Sequence, residues 1–139
     1  AAHEPWVSFA DALVLDRDFV RLVGPLLLAD TRTRHVDLSS NWARDDGAVA
    51  VAAGMTRNTH VTRLKFDANQ FGDRGARALA AMLRRNTRLR QLSLSDNVAM
   101  TEAGAVALLT AIEQANFTLR RLRCDFDDAD PSDEAEWQG

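Results

Sequence analysis

Apolar positions in this chain change their spacing from two residues to between three and four, and the change recurs along the sequence. The first half of each unit reads apolar-x-x-apolar-x-apolar-x-x-Asn, and the closing Asn41, Asn69 and Asn97 are 28 residues apart. Alternation of apolar and polar residues predicts a short strand with one buried face. The apolar members are Val36 and Leu38; Val61, Leu64 and Phe66; Leu89, Leu92 and Leu94; and, in a fourth copy that ends at Asp127, Leu119, Leu122 and Cys124.

The second half of each unit predicts a helix that opens with Gly-Ala. Its apolar residues follow at i, i+3 and i+7, which places them on one helix face. Each helix is expected to end at an asparagine, because Asn tolerates the left-handed conformation that closes many helices. The face residues are Ala48, Val51 and Met55; Ala76, Leu79 and Leu83; and Ala105, Leu108 and Ile112; the closing residues are Asn58, Asn86 and Asn116.

A unit of this size cannot bury its own apolar face, but neighbouring units can do so by stacking. The strands then form a parallel sheet on one side and the helices form a layer on the other. Because a helix is wider than a strand, we predict an α/β solenoid, a short right-handed horseshoe with the sheet on its concave face. Asn41, Asn69 and Asn97 carry donors and acceptors, so they can bond neighbouring turns and tie the units together.

These units resemble leucine-rich repeats of the ribonuclease-inhibitor subtype, in register through three full copies. The resemblance implies architecture alone, since ribonuclease inhibitor is far longer and rich in cysteine. It covers about residues 31–127 and rests on the motifs Leu64-x-Phe66-x-x-Asn69-x-Phe71-Gly72-Asp73-x-Gly75-Ala76-x-Ala78-Leu79 and Leu92-x-Leu94-x-x-Asn97.

The two ends of the chain depart from the repeat. Residues 1–30 are expected to form a degenerate first repeat that caps the stack, and residues 128–139 an acidic tail that is solvated or folded back on the last strand. Pro25 predicts a kink or break near Gly24, and Trp6 and Phe9 are expected to cover the end of the core. The apolar positions expected on the strand and helix of this first repeat are Ala10, Leu13 and Leu15, followed by Val20, Val23 and Leu27.

Strand alternation also decides which side chains face the concave surface. Neighbouring strands lie about 4.8 Å apart, so equivalent residues form columns of near neighbours. Such columns suit a charge-complementary protein partner, although the same side chains can equally pair among themselves. The predicted partner-binding residues are His35, Arg63, Gln91 and Arg121 in the first column; Asp37, Lys65, Ser93 and Arg123 in the second; and Ser39, Asp67, Ser95 and Asp125 in the third.

Composition narrows the classes of protein. The 139 residues, 46% of them apolar, suit one packed domain. The single cysteine, Cys124, excludes a disulfide framework and a cysteine-based zinc site. All 17 basic residues, 16 of them arginine, precede residue 124, whereas seven of the 20 acidic residues lie in the last fifteen positions. No apolar run approaches the roughly 20 residues of a membrane span, so we expect no membrane insertion.

No residue pattern points to catalysis, a metal ion or a cofactor. The glycines are isolated in repeat turns, so a phosphate-binding loop is absent. His35 and Asp37 share a face, but no third ligand accompanies them. Cys124 occupies a core position and is expected to be a buried, inert thiol. We therefore expect neither enzymatic activity nor a small-molecule substrate.

The expected function is a non-enzymatic protein-interaction module, a subunit or domain of a larger assembly. One alternative is a regulator of a small GTPase, because the repeat type is similar to that of the Ran GTPase-activating protein. Another is an actin-capping module, because Asn86-Thr87-Arg88-Leu89 is similar to repeats of tropomodulins. Nucleic acid is disfavoured by concave columns without aromatic residues and by a net charge of −3. The lack of a secretory signal favours an intracellular, cytoplasmic location or an organelle reached with a removed transit peptide.

Overall fold

Strands and helices alternate along the chain in a computed structural model, which describes residues 6–116 and 118–124. The strands within this part are β1 (Trp6–Ser8), β2 (His35–Asp37), β3 (Arg63–Lys65), β4 (Gln91–Ser93) and β5 (Arg121–Arg123). The helices are α1 (Asp16–Asp18), α2 (Gly24–Ala29), α3 (Asp45–Arg57), α4 (Asp73–Leu83) and α5 (Glu102–Ala115), with a π-helical segment, Phe19–Val23, between α1 and α2.

The five strands form one parallel sheet in the order β1-β2-β3-β4-β5. Each strand contributes its middle residue to the side that faces the helices, and Leu64 and Leu92 are fully buried there. Consecutive helices pack on one another, α2 against α3, α3 against α4 and α4 against α5. The prediction of an α/β solenoid with a parallel sheet is therefore confirmed. We call the sheet surface that faces away from the helices the concave face.

The core lies between the sheet and the helices and runs through all units. Phe19 from the first unit lies with its ring centroid 5.5 Å from that of Phe66, and Phe66 lies 5.0 Å from Phe71. All three rings are fully buried. Burial of each such side chain contributes about 1.5–3 kcal/mol, so the aromatic cluster joins the first unit to the third energetically as well as spatially.

Aspartates at the helix starts connect each unit to the next. Asp16 Oδ1 accepts hydrogen bonds from the amides of Arg44 and Gly47, both at 2.7 Å. Asp45 and Asp73 accept equivalent bonds at the starts of α4 and α5. The first amides of a helix lack intrahelical partners, so a carboxylate from the preceding unit supplies them. These bonds also explain the Gly-Ala start, because a Cβ at Gly47 would lie 2.6 Å from Asp16 Oδ1.

The asparagines at the helix ends have a different role from the one expected. Asn58 and Asn116 are extended, with φ of −72° and −109°, so the expectation of a left-handed cap is wrong. Asn86 Nδ2 instead donates to the carbonyls of Met55 and Asn58, in the preceding unit. Its Oδ1 accepts from the amides two and three residues ahead. A buried side-chain amide with two donors and an acceptor thus supplies hydrogen-bond partners to backbone groups around the loop between helix and strand.

The first unit also differs from its expected form. Its strand is Trp6–Ser8, with Val7 opposite Val36, whereas Leu13 and Leu15 are 71% and 40% exposed. The expected strand positions at residues 10–15 are therefore wrong, because the connection between strand and helix keeps the seven-residue length of the next two units, which places the strand at residues 6–8.

The helical part of the first unit is irregular at the predicted place. The π-helical segment ends at Val23 and α2 begins at Gly24, with Pro25 in its first turn. Proline cannot donate a helical hydrogen bond, and the wider turn before it shifts the buried face by one residue. Phe19 is consequently buried, while Val20, expected on that face, is 44% exposed. The acidic tail lies outside the described residues, and the three domain boundaries stay predictions.

Candidate functional site

The concave face is assembled from equivalent positions of the five strands. The register aligns His35, Arg63, Gln91 and Arg121 in the first column, and Asp37, Lys65, Ser93 and Arg123 in the second. The structure thus brings the predicted residues of both columns together. Asp125 lies outside the described residues.

β1 extends both columns by one residue that the sequence analysis did not predict. Trp6 pairs with His35 and Ser8 with Asp37. Trp6 is 64% exposed, so the expectation that it covers the end of the core is wrong. Alternation around Val7 was the available signal, and the short length of the strand obscured it. Phe9, in contrast, lies at the open end of the core beside Val23 and Leu27.

The third column is a hydrogen-bonded cluster around Asp67. Asp67 Oδ1 accepts from the hydroxyl of Ser93 at 2.6 Å and from the amide of Ser95 at 2.9 Å. The Asp67 amide donates to Ser39 Oγ at 3.1 Å. Burial raises the pKa of the Asp67 carboxyl above its ordinary value; these hydrogen bonds and the charges of Lys65 and Arg123 offset the shift only in part. Asp67 therefore fixes the carboxyl end of its own strand to those of the strands on either side.

Two of the predicted partner-binding residues are less accessible than expected. Ser93 is fully buried and Ser39 is 8% exposed. Both hydroxyls are engaged by the Asp67 strand end, so their first role is internal. Asp37 is similarly turned to its own strand, since its Oδ1 accepts from the Ser39 amide. The accessible candidates on the face are therefore Trp6 and the long polar and basic side chains.

Asparagines form the edge of the face at the carboxyl ends of the strands. Asn69 Nδ2 donates to the carbonyls of Leu38 and Asp67, and its Oδ1 accepts from the amide of Ala43. Asn41 and Asn97 make corresponding bonds within and between units. All three are buried, and the residue before each of them has a positive φ, between 52° and 61°. These side chains position the face and are not available to a partner.

Charge is distributed unevenly along the strands. Arginines cluster at the amino ends, where Arg63 lies in the first column and Arg90 and Arg120 immediately precede β4 and β5. Asp67 and the acidic residue Asp96 lie beyond the carboxyl ends. The concave face is therefore basic along one edge and acidic along the other, which gives an approaching charged partner a preferred orientation.

Other chemistry is sparse in the described part of the chain. Its His, Cys, Asp and Glu residues form no group of three that could hold a metal ion. Cys124 is 4% exposed. Trp42 is 48% exposed and lies beside Leu15, Arg17 and Arg44. No described helix combines the length and apolar character required to cross a membrane.

Comparison with known proteins adds the family of the repeats. A family model described as leucine-rich repeat matches residues 57–80 and 85–109, which include β3 with the first eight residues of α4 and β4 with the first eight residues of α5. A search of curated proteins gives no match. Among solved structures, the actin-binding site 2 of leiomodin-1 is similar with a TM-score of 0.80 and 22% identity, over 94% of this chain and 76% of that one. At this identity the likeness concerns the fold, and the ribonuclease-inhibitor subtype stays a prediction.

Proposed function

Since two of its repeats match the leucine-rich repeat model, we propose that the chain is a non-enzymatic interaction module that binds a protein partner on the concave face. The observation that carries this proposal is the contrast between two sets of residues on that face. The buried Asn and Ser side chains, with Ser93 of the second column among them, make hydrogen bonds that hold the strand ends. The other positions of the first two columns present an exposed Trp6 and a row of basic side chains.

A surface of this kind suits a macromolecular partner. Parallel strands fix the spacing of the side chains, so a partner meets a prearranged surface and little ordering entropy is lost on binding. An exposed tryptophan and arginines are the residue types that most often dominate the energy of protein interfaces. The basic edge and the acidic edge of the concave face give a charged partner a preferred orientation.

The single lysine provides a direct test. Lys65 is the only lysine of the chain, and it lies in the second column of the concave face. An amine-reactive photo-crosslinker therefore attaches to this face at Lys65; it can also label the α-amino group at the amino terminus. Incubation of the labelled protein with an extract of its source cells, followed by illumination and mass spectrometry, is expected to give a protein crosslinked to Lys65.

The control moves the label to the helical side while the chain and its net charge are kept. In the double variant Lys65→Arg with Arg77→Lys, the only lysine is an exposed residue of α4. We expect the partner to be lost from this variant. Equal crosslinking from both positions, or crosslinking only from α4, would place the interface elsewhere. Lys65→Glu with Arg123→Glu has no lysine to label, so it is compared with the unchanged protein by affinity pull-down; it is expected to bind the partner more weakly at an unchanged melting temperature.

Actin is a second candidate, because the fold neighbour is an actin-binding site of leiomodin-1. The Asn-Thr-x-Leu motif does not strengthen it, since Asn86 and Leu89 are buried parts of the helix exit. Co-sedimentation with actin filaments and a pointed-end elongation assay test this candidate. Elongation unchanged at high protein concentration would exclude it.

A further inference from the structure

A basic hollow lies at the amino ends of the middle strands, at one edge of the concave face. It has a volume of about 230 Å³ and is lined by His35, Thr62, Arg63, Arg90, Gln91 and Arg120. No carboxylate of the described residues lines it. We call it the arginine hollow.

Backbone bonds fix the positions of its arginines. The Arg90 amide donates to the Thr62 carbonyl and the Arg120 amide to the Arg90 carbonyl, both at 2.8 Å. Arg90 and Arg120 therefore occupy consecutive rungs, at about the 4.8 Å spacing of neighbouring strands. Like charges opposite each other on adjacent strands disfavour folding, and an anion held between them removes the repulsion.

The three arginines of the hollow have no internal counterion in the described part of the chain. The ion pairs described there join Arg74 to Asp45 and Asp46, on the helical side. Within residues 6–116 and 118–124, no side-chain hydrogen bond or ion pair involves Arg63, Arg90 or Arg120. Their guanidinium groups can consequently engage a carboxylate by paired hydrogen bonds.

An unsatisfied acceptor on Gln91, which lines the hollow, narrows the chemistry of the ligand. Gln91 Oε1 is buried and has no hydrogen-bond partner among the residues that the structure describes. A carboxylate or a fully ionised phosphate offers only acceptors, so neither alone can satisfy it. An acidic peptide segment brings both complements, carboxylates for the arginines and a main-chain N–H for Gln91 Oε1.

We propose that the arginine hollow binds an acidic segment of the protein partner, with side-chain carboxylates at Arg63, Arg90 and Arg120 and a peptide N–H at Gln91. This inference names the partner chemistry of the concave face and so rests on the proposed function. The recognition is charge-assisted and is therefore expected to weaken as salt is added.

Fluorescence anisotropy of the full chain with a short fluorescein-labelled peptide of alternating glutamate and alanine tests the inference. We expect binding at low ionic strength, and none by the glutamine analogue of the peptide. Arg90→Gln with Arg120→Gln should weaken the peptide about tenfold or more, because each arginine supplies charged hydrogen bonds. The matched control, Arg77→Gln with Arg85→Gln, removes the same charge from exposed positions outside the hollow and should change affinity little.

Three outcomes would overturn the inference. Equal loss in both double variants would mean that net charge alone attracts the peptide. Inorganic phosphate that displaces the peptide with equal affinity and the same sensitivity to the variants would make the hollow a simple anion site. Peptide binding that appears only after the acidic residues at 125–136 are changed to their amides would make the chain's own tail the occupant. Failure here with an intact crosslink at Lys65 would leave the proposed function standing. Peptide binding without a crosslink at Lys65 would remove the proposed function and, with it, the assignment of the acidic segment to that partner.

Discussion

Asparagine is used at two places in every repeat for one physical reason: its amide donates and accepts at the same time. Asn69 and Asn86 lie at opposite ends of their unit, and each bonds carbonyls of the preceding unit while it accepts amides from a loop. Asp30 holds the corresponding position in the first unit, where its carboxylate accepts from Arg32 and Thr33. A carboxylate cannot donate, so Asp30 cannot make the bonds to a preceding unit that Asn86 makes.

At the residue scale we predict that Asn69→Ala costs more stability than Gln70→Ala. The first change leaves the buried Ala43 amide without a partner, at about 1–3 kcal/mol for an unsatisfied group, and removes one hydrogen bond from each of the Leu38 and Asp67 carbonyls. In the second variant the backbone N–H of residue 70 still donates to the Ala43 carbonyl. Thermal unfolding followed by circular dichroism measures the difference, and equal melting temperatures would contradict the role assigned to Asn69.

At the element scale, helices of neighbouring units are held closer than an alanine permits. A Cβ at Gly75 would lie 2.9 Å from the Ala48 Cβ and 3.0 Å from the Phe71 Cβ. Both atoms are attached to backbone, so the clash is relieved only if α3 and α4 separate. The glycines of the Gly-Ala motif are thus required by packing, although glycine lowers helix stability.

We therefore predict that Gly75→Ala destabilises the protein by about 1–3 kcal/mol, the usual cost of overpacking. The sign is the informative quantity, because intrinsic propensity alone favours alanine in a helix by about 1 kcal/mol. Arg77→Ala, on the exposed side of α4, is the control and is expected to stay within about 0.5 kcal/mol. A stabilised Gly75→Ala protein would show that the helices are not in contact at this point.

At the scale of the whole molecule, stability depends on contacts between units, because one repeat cannot bury its own apolar face. Phe19 is the largest side chain that the first unit contributes to the common core. Its ring lies against Phe66 of β3's unit, so the irregular first unit is bound to the regular ones by apolar packing.

Phe19→Ala is expected to lower the free energy of unfolding by about 3–5 kcal/mol, as for other buried phenylalanines. If the first unit then detaches before the rest, the slope of the urea unfolding curve should also fall. Leu22→Ala, in the same segment but 58% exposed, is the matched comparison and should leave midpoint and slope nearly unchanged. Identical curves for the two variants would mean that Phe19 does not join the units.

The repeat itself could be predicted because its physical causes are local. Alternation around Leu64 and Leu92 specifies a strand, the i, i+3, i+7 set specifies a helix, and a fixed period of 28 residues forces the strands to be parallel and in register. The first unit could not be predicted in the same way, because the π-helical segment before Pro25 shifts the buried position from Val20 to Phe19. Its strand is also limited to the three residues Trp6–Ser8, which place Trp6 on the concave face.

The sequence by itself determined the order of strands and helices and the columns of the concave face. Only the tertiary structure decided which of those side chains remain accessible, because Ser39 and Ser93 are engaged by Asp67 across strands distant in sequence. It also decided that Asp16 and Asp45 cap the helices of the following units and that arginines from three units share one hollow. Contacts between units depend on the distance between packed backbones, which the repeat period does not specify.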